Sequence, residues 1–226
     1  MIRLRFDKLA AAVGGTLYNT ERAKSEFSGV SIDSRSVTEQ QLFVAIRGER
    51  LDGHDYVTQA LKRGASGLVV EYNYPGLQKV PGYIPVIAVR NSHEAMMQMA
   101  ARYRNACPAT FVGITGSNGK TTTKELTCSL LQAVETDIYR SPGNLNNLFG
   151  VPLALFGVPS DCRIAVIELG ISTEVEMPRL AAMVHPEMII ITNIGPTHLE
   201  FLGSLEAVAR AKLEPVSYTH LTLPTN

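Results

Sequence analysis

The sequence predicts an α/β protein with a parallel sheet in its second domain, and three observations support this prediction. Hydrophobic residues make up 45% of the 226 residues and charged residues 19%, so the chain can form packed cores. Short strand-like apolar runs alternate with segments of helical periodicity, which is the pattern of βαβ units. A Cys107-Pro108 step follows a predicted helix, so we place a boundary between two domains near residue 107.

The first predicted domain, residues 1–107, opens with a helix. The apolar residues of Phe6–Val13 have helical spacing, and the pair Gly14-Gly15 ends this helix. Gly64 is expected to end a second helix, and Ser92 is expected to cap a third. The remaining predicted elements are strands at 27–32, 42–46, 67–71 and 84–89 and helices at 55–63 and 93–105.

The second predicted domain, residues 108–214, alternates more regularly between the two kinds of element. Strands are predicted at 109–115, 136–140, 163–169 and 187–193, and helices at 120–134, 147–156, 174–184 and 204–213. Strands that alternate with helices of this length favour a parallel sheet. Pro215 is expected to end the last helix because it has no N–H to donate.

Composition argues against several functions. Lys and Arg together number 21, as do Asp and Glu, whereas a general nucleic-acid binder would carry a basic excess. No apolar run approaches the roughly 20 residues of a membrane helix, and no signal-peptide core follows the N-terminus. Cys107, Cys128 and Cys162 form no CxxC pair, which favours reduced thiols and a cytoplasmic location.

The clearest chemical signal is the turn Gly113-Ile-Thr-Gly-Ser-Asn-Gly-Lys-Thr121, which joins a predicted strand to a predicted helix. Glycines let the backbone fold closely around a phosphate, and the N–H groups at a helix start point towards it. Lys120 adds a positive charge, and the Thr121 hydroxyl can reach Mg²⁺. Ile114 stands where the strict P-loop pattern has its first glycine, so an ordinary strand-to-helix turn is the alternative to the phosphate site that we predict.

Later in the sequence, Glu168 and His198 are candidate ligands for the Mg²⁺ that accompanies a nucleoside triphosphate. Glu168 ends an apolar strand, and His198 follows another. Both would lie at the carboxyl edge of the parallel sheet, where α/β proteins bind ligands. Each alone would be explained as a polar strand end, but a phosphate loop on the same sheet favours the metal interpretation.

Several motifs together resemble those of a known family. The stretch Thr115-Gly-Ser-Asn-Gly-Lys-Thr-Thr-Thr-Lys124 resembles the ATP loop of the Mur ligases, the cytoplasmic amide-forming enzymes of peptidoglycan precursor synthesis. Further similar motifs are Gly143-Asn-Leu-Asn-Asn147, Gly150-Val-Pro-Leu153, Glu168-Leu-Gly170, Thr192-Asn-Ile-Gly-Pro-Thr-His-Leu-Glu200, Gly203-Ser204, Ala211-Lys212, Asp33-Ser-Arg35, Leu42-Phe-Val-Ala45 and Asp52-Gly-His54. The resemblance extends over about residues 1–214.

The resemblance implies a UDP-substrate-binding N-terminal α/β domain and the first part of a P-loop (Rossmann-like) central ATP-binding domain. It implies a ligase that uses ATP and Mg²⁺, and the motifs are most similar to those of the member that joins D-alanyl-D-alanine to UDP-N-acetylmuramoyl-tripeptide. In that reaction the γ-phosphate passes to the peptide carboxylate, and the amine then attacks the acyl phosphate. A monomer with no nucleic-acid or membrane partner is expected.

Matching positions imply the site residues. The expected ATP-binding residues are Thr115, Gly116, Ser117, Asn118, Gly119, Lys120, Thr121 and Thr122, and the expected catalytic residues are Lys120, Glu168, His198 and Lys212. Mg²⁺ is expected at Thr121, Glu168, His198 and, if carbamylated, Lys212; substrate contacts are expected from Ser34, Arg35, Gly48, Asp52, Gly53, His54, Asn144 and Asn147. Without the family, Lys212 would be interpreted as a solvated helix lysine and Asp33-Ser34-Arg35 as a plain turn.

Residues 215–226 have no likeness to the family motifs, and we expect them to be foreign to it. Because the family's amine-binding C-terminal domain has no counterpart in the sequence, we expect the chain as written to lack ligase turnover. Three alternatives stay open: another ligase (the preceding tripeptide-forming Mur enzyme, or a cyanophycin- or folyl-polyglutamate-type enzyme), a non-catalytic UDP-sugar or nucleotide-binding module, and a P-loop GTPase or transport ATPase. The third is weakest because no guanine-recognition or transporter signature is present.

Overall fold

The computed structural model describes residues 2–197, 200 and 203–218. The chain divides into two compact units, Met1–Arg102 and Tyr103–Asn226, which we call the first and second unit. The division falls within the helix that precedes residue 107, and the functional assignment of each domain stays a prediction. Among the described residues, no helix is both long enough and apolar enough to cross a membrane.

The first unit has an α/β fold with a five-stranded sheet. Its elements are β1 (Arg3–Arg5), α1 (Phe6–Ala12), β2 (Thr16–Tyr18), β3 (Glu26–Ser28), β4 (Val30–Ser31), β5 (Leu42–Val44), α2 (Val57–Lys62), β6 (Gly67–Glu71), β7 (Val86–Val89) and α3 (Ser92–Ala106), which continues into the second unit. The sheet order is β2-β7-β6-β5-β4, and the last four are parallel to their neighbours, whereas β2 runs antiparallel to β7. This confirms the α/β class predicted for the first domain, whose strand directions were not predicted.

Two local predictions for the first unit are corrected. The strand predicted at 27–32 is broken at Gly29, whose φ of +85° is a left-handed conformation that glycine adopts at little cost. As a result, β3 pairs with β1 and β4 pairs with β5. The cap of α3 is Asn91, whose Oδ1 accepts the N–H of Glu94 at 2.8 Å, whereas the buried Ser92 hydroxyl donates to the carbonyl of Ala45.

The second unit has a four-stranded sheet with parallel neighbours. Its elements are β8 (Thr110–Thr115), α4 (Lys120–Leu131), β9 (Ile138–Arg140), α5 (Gly150–Phe156), β10 (Ile164–Glu168), α6 (Glu176–Val184), β11 (Met188–Ile191), α7 (Leu205–Leu213) and a 3₁₀ helix, Glu214–Tyr218. The strand order is β11-β8-β10-β9. The α-helix ends before Pro215, as predicted.

The core of the second unit fixes the carboxyl edge of its sheet. Phe111, Ile114 and Val166 are buried on the two central strands, β8 and β10. Burying each such side chain contributes about 1.5–3 kcal/mol. Since β8, β10 and β11 run parallel, their carboxyl ends meet at one edge, and the residues that follow them are brought together there.

Candidate functional site

The predicted phosphate turn connects β8 to α4 at the carboxyl edge of the sheet. Gly119 precedes α4 in a left-handed conformation, with φ of +79°, and no side chain among the described residues caps the helix. The first N–H groups of an α-helix have no partner within the helix, and the helix dipole favours negative charge there. The start of α4 therefore has the geometry of an anion site.

The loop that follows β11 braces this turn. The N–H groups of Ser117 and Asn118 donate to the carbonyl and to Oδ1 of Asn193, at 3.0 and 2.9 Å. The Thr192 hydroxyl donates to the carbonyl of Asn118 at 2.6 Å, and the Gly195 N–H donates to the Ser117 hydroxyl at 2.9 Å. Because the N–H groups of Ser117 and Asn118 are used inside the protein, these two are not available to a phosphate in this conformation.

Two lysines converge on one carbonyl oxygen of the turn. The ammonium groups of Lys120 and Lys212 donate to the carbonyl of Gly116, at 2.8 and 3.2 Å. Lys212 is only 2% exposed, and burial, together with the nearby charge of Lys120, lowers its pKa to about 8. The hydroxyl oxygen of Thr115 is also buried and, among the described residues, has no hydrogen-bond partner. Positive charge and an unused hydroxyl thus lie where the turn begins.

A buried carboxylate faces the turn from the end of β10. Glu168 is 2% exposed, and its Oε2 accepts the hydroxyl hydrogen of Thr121 at 2.9 Å. Its Oε1 accepts from Nδ2 of Asn146 at 2.8 Å, and its own N–H donates to the hydroxyl of Ser141 at 3.1 Å. Two of the predicted metal ligands, Thr121 and Glu168, are therefore in direct contact.

The asparagine that contacts Glu168 is Asn146, whereas the sequence-based prediction named Asn144 and Asn147. Asn144 is exposed, and Oδ1 of Asn147 accepts the N–H groups of Phe149 and Gly150, which places it at the start of α5. Asn146 instead reaches Glu168. The motif Gly143-Asn-Leu-Asn-Asn147 contains three asparagines, and their types and spacing do not indicate which one turns towards β10.

The residues present fit a hard divalent cation beside a phosphate. Thr121 and Glu168 offer oxygen atoms, which Mg²⁺ prefers, next to an uncapped helix start that suits a phosphate. His198 lies outside the described residues. Within the described ranges, no group of three His, Cys, Asp or Glu side chains is gathered as a metal site.

The predicted substrate residues of the first unit follow the parallel strands β4 and β5. After β4, Arg35 binds both carboxylate oxygens of Asp33, at 3.0 and 2.8 Å, and this hydrogen bonding lowers the pKa of Asp33 to about 2. The Arg35 side chain is 79% exposed. Ser34 is buried and donates to Oε1 of Gln59, on α2, at 2.7 Å. Gln59 is thus part of this group, although no sequence signal pointed to it.

The second group follows β5. Asp52 accepts from the N–H of His54 and from its ring nitrogen Nδ1, while Nε2 of His54 accepts the N–H of Glu71 at 2.9 Å. Both ring nitrogens of the buried His54 are therefore engaged inside the protein, and the proton lies on Nδ1 in the neutral ring. Arg47, which was not predicted, contacts Asp52 at 3.1 Å.

Glycines shape this second group. A side chain at Gly53 would lie 2.6 Å from the backbone nitrogen of Ile46, so only glycine fits there. The N–H of Gly48 donates to the carbonyl of Leu51 at 2.9 Å and closes the turn before Asp52. Gly48 and Gly53 thus position Asp52 and His54 through the backbone.

Comparison with known protein families gives the class of the protein. A sequence model of the Mur ligase family catalytic domain matches residues 26–104, and one of the Mur ligase middle domain matches residues 114–220. The second match extends six residues into the segment 215–226. The chain belongs to the Mur ligase family.

Individual relatives narrow the comparison to one member of that family. The chain is 36% identical over 217 residues to the UDP-N-acetylmuramoyl-tripeptide–D-alanyl-D-alanine ligase of Bacillus subtilis, with 96% of this chain and 47% of that protein covered. It is 36% identical to the Escherichia coli ligase of the same name, with 95% and 45% covered. The chain thus spans about half the length of the curated relatives it matches.

Solved structures that are similar in fold include members of the same enzyme group as these relatives. A crystal structure of MurF from Acinetobacter baumannii superposes with a TM-score of 0.86 at 30% identity, covering 99% of this chain and 48% of that one. MurF ligase from Thermotoga maritima in complex with ADP superposes with a TM-score of 0.75 at 30% identity, covering 85% and 43%. That second protein binds ADP.

Proposed function

We propose that this chain is the substrate- and nucleotide-binding part of an ATP-dependent cytoplasmic ligase that joins D-alanyl-D-alanine to UDP-N-acetylmuramoyl-tripeptide in peptidoglycan precursor synthesis. The names of its relatives support the substrates, at 36% identity over most of the chain. The observation that carries the proposal is the contact of Thr121 with Glu168 beside the uncapped start of α4, because this arrangement combines a phosphate site with oxygen ligands for a cation.

In this proposal the second unit binds Mg²⁺ and ATP. The backbone from Gly116 to Thr122 surrounds the phosphates. The ammonium of Lys120 leaves the carbonyl of Gly116 and binds the phosphates. Thr121 and Glu168 hold Mg²⁺, together with His198 as the sequence predicts. The cation neutralises charge on the phosphate oxygens, which lets two anions, a phosphate and the peptide carboxylate, approach each other.

Lys212 has a separate proposed role as a carbamylated ligand for a second Mg²⁺. Its amine is buried, and its one hydrogen bond among the described residues goes to the carbonyl of Gly116. The ammonium would first lose a proton to water, and the neutral amine would then add CO₂ and release a second proton. The resulting carbamate would replace a buried cation by a carboxylate-like group beside Lys120. After incubation with ¹³C-bicarbonate and Mg·ADP, NMR of the chain should show a carbamate resonance that is absent in Lys212→Met, and its presence at full height in that variant would contradict the assignment.

We also propose that the first unit binds the UDP-muramoyl peptide. Arg35 is exposed and carries the planar pair of donors that suits a diphosphate. Ser34, Asp52 and His54 lie after neighbouring parallel strands, at the edge where α/β sheets bind ligands. Because both nitrogens of His54 have protein partners, its proposed role is to hold Asp52 and the turn in place.

The preceding, tripeptide-forming ligase is the nearest competitor, and no specific observation favours it. A structure of UDP-N-acetylmuramoyl-L-alanyl-D-glutamate–2,6-diaminopimelate ligase superposes at 18% identity, which shows the fold alone. Calorimetric titration of the chain with UDP-N-acetylmuramoyl-tripeptide and with the corresponding dipeptide separates the two. Tighter binding of the tripeptide supports the proposal, whereas equal or tighter binding of the dipeptide contradicts it.

A further inference from the structure

Lys124 lies on α4, one turn after the phosphate loop, and none of the roles above uses it. Its side chain is fully buried, at 0% exposure. Its ammonium donates to the carbonyls of Ser141 and Gly143, at 2.8 and 3.1 Å, and lies 4.0 Å from Oε2 of Glu168. A buried lysine is rare and needs compensating partners, so this arrangement requires an explanation.

We propose that Lys124 is a positioning residue for Mg²⁺-dependent nucleotide binding, acting through Glu168 and through the segment Ser141–Asn147, which we call the asparagine loop. The inference rests on the proposed function, since it assumes that Glu168 serves a cation beside the phosphate loop. In this proposal Lys124 acts without touching the cation or the nucleotide. It binds the asparagine loop, which in turn binds Glu168.

The first step of the argument concerns the asparagine loop. Lys124 binds its beginning, through the carbonyls of Ser141 and Gly143. The same loop binds Glu168 through the Ser141 hydroxyl and through Nδ2 of Asn146, and the carbonyl of Asn146 accepts the N–H of Gly170 at 2.7 Å. One ammonium group on α4 therefore anchors the loop that orients the carboxylate, so that Oε2 faces Thr121.

The second step concerns charge. Glu168 is almost completely buried, and a buried carboxylate is costly without positive charge nearby. The charged groups that face Lys124 are Glu168 and the half-exposed Glu125, at 3.4 Å, and Glu125 also binds Arg140 at 2.8 Å. Since Glu125 has a second, exposed partner, we infer that Lys124 compensates the charge of Glu168, and it forms the one ion pair of Glu168 seen among the described residues.

The test measures how much Mg²⁺ strengthens ADP binding, as the ratio of the dissociation constants without and with Mg²⁺. Partners that support a metal ligand typically change metal affinity by about 10–100-fold. Lys124→Met should lower this ratio at least about tenfold and leave Mg²⁺-free ADP binding within about threefold. Lys79→Met, at an exposed lysine of the first unit, is the matched control and should change neither value.

A double variant separates positioning from general destabilisation. If Lys124 acts through Glu168, adding Lys124→Met to Glu168→Gln should change the ratio less than about twofold, because interacting residues are not additive. The double variant also removes both buried charges together, so it keeps the test open if Lys124→Met alone folds poorly. A lowered melting temperature with an unchanged ratio, or a full further loss in the Glu168→Gln background, would overturn the inference.

Hydrogen exchange tests the structural half without any ligand. The amides of Gly170 and Glu168 donate to the asparagine loop, so both should exchange faster in Lys124→Met, whereas the amides of β8 should be unchanged. Unchanged protection of Gly170 and Glu168 would overturn the inference even if nucleotide binding were lost. Failure of the unmodified chain to bind ADP would instead count against the proposed function, and the exchange result would still decide the role of Lys124.

Discussion

At the scale of single residues, Glu168 is the centre of the candidate nucleotide site. It receives hydrogen bonds from Thr121 and Asn146, which come from α4 and from the asparagine loop. Sequence motifs identified Glu168, Thr121 and Lys120, because residue type and order suffice for these. They could not separate Asn146 from Asn144 and Asn147, since that depends on how the loop packs against β10.

Replacing Glu168 by Gln should weaken Mg·ADP binding at least about tenfold, because the amide removes the negative charge that attracts the cation. Binding of ADP without Mg²⁺ should change little, since the phosphate donors at the start of α4 remain. Fluorescence titration with a labelled ADP, with Mg²⁺ or with EDTA, measures both quantities. An equal loss under the two conditions would show that Glu168 supports the fold of the site and not the cation.

The Asp33–Arg35 pair predicts a small pH effect on stability. The pKa of Asp33 is lowered from 3.8 to about 2 by hydrogen bonds from Arg35, so its contribution is complete above pH 3.8 and is lost as the pH falls towards 2. Because the pair is exposed, solvent screens it and its contribution is small. Urea unfolding of the chain and of Asp33→Asn should differ at pH 6 and converge towards pH 2, and a difference that grows on acidification would contradict this.

At the scale of elements, each candidate site lies at the carboxyl ends of parallel strands that alternate with helices: β4 and β5 in the first unit, and β8 and β10 in the second. Apolar periodicity predicted most of these elements, with ends that differ by a few residues. The short strands β1 (Arg-Leu-Arg) and β2 (Thr-Leu-Tyr) were not predicted because a single leucine between polar residues forms no apolar run, and each strand pairs with a distant segment. The break between β3 and β4 depends on the backbone of Gly29, which no apolar pattern reveals.

The close approach of the β8–α4 turn to the loop after β11 makes Gly116 irreplaceable. A Cβ there would overlap the Thr192 hydroxyl, and φ of +145° is unfavourable for other residues, so Gly116→Ala should destabilise the chain by about 2–3 kcal/mol. Gly119→Ala is the matched control, because open space surrounds that position and only its φ of +79° opposes alanine, at about 1 kcal/mol. Urea unfolding measures both, and equal losses would contradict the packing argument.

At the scale of the whole molecule, each unit carries one candidate site. The first unit gathers the residues around Arg35 and Asp52, and the second gathers those around Lys120 and Glu168. The family and the fold class could be predicted from the sequence because several motifs occur in a fixed order. The partners Gln59 and Lys124 could not be predicted, because their contacts depend on packing between segments that are distant in the chain. Arg47 lies close to Asp52 in the chain, and its contact depends on how the turn between them closes.

The central claim is that the first unit binds the UDP-muramoyl peptide and the second binds the nucleotide. Calorimetric titration of the chain, Arg35→Ala and Lys120→Met with each ligand tests it most directly, with Arg3→Ala, at an exposed arginine of β1, as the control. Arg35→Ala should weaken UDP-N-acetylmuramoyl-tripeptide at least about tenfold and leave Mg·ADP unchanged, and Lys120→Met should do the reverse. Loss of both ligands in either variant, or binding of neither by the unmodified chain, would contradict the claim.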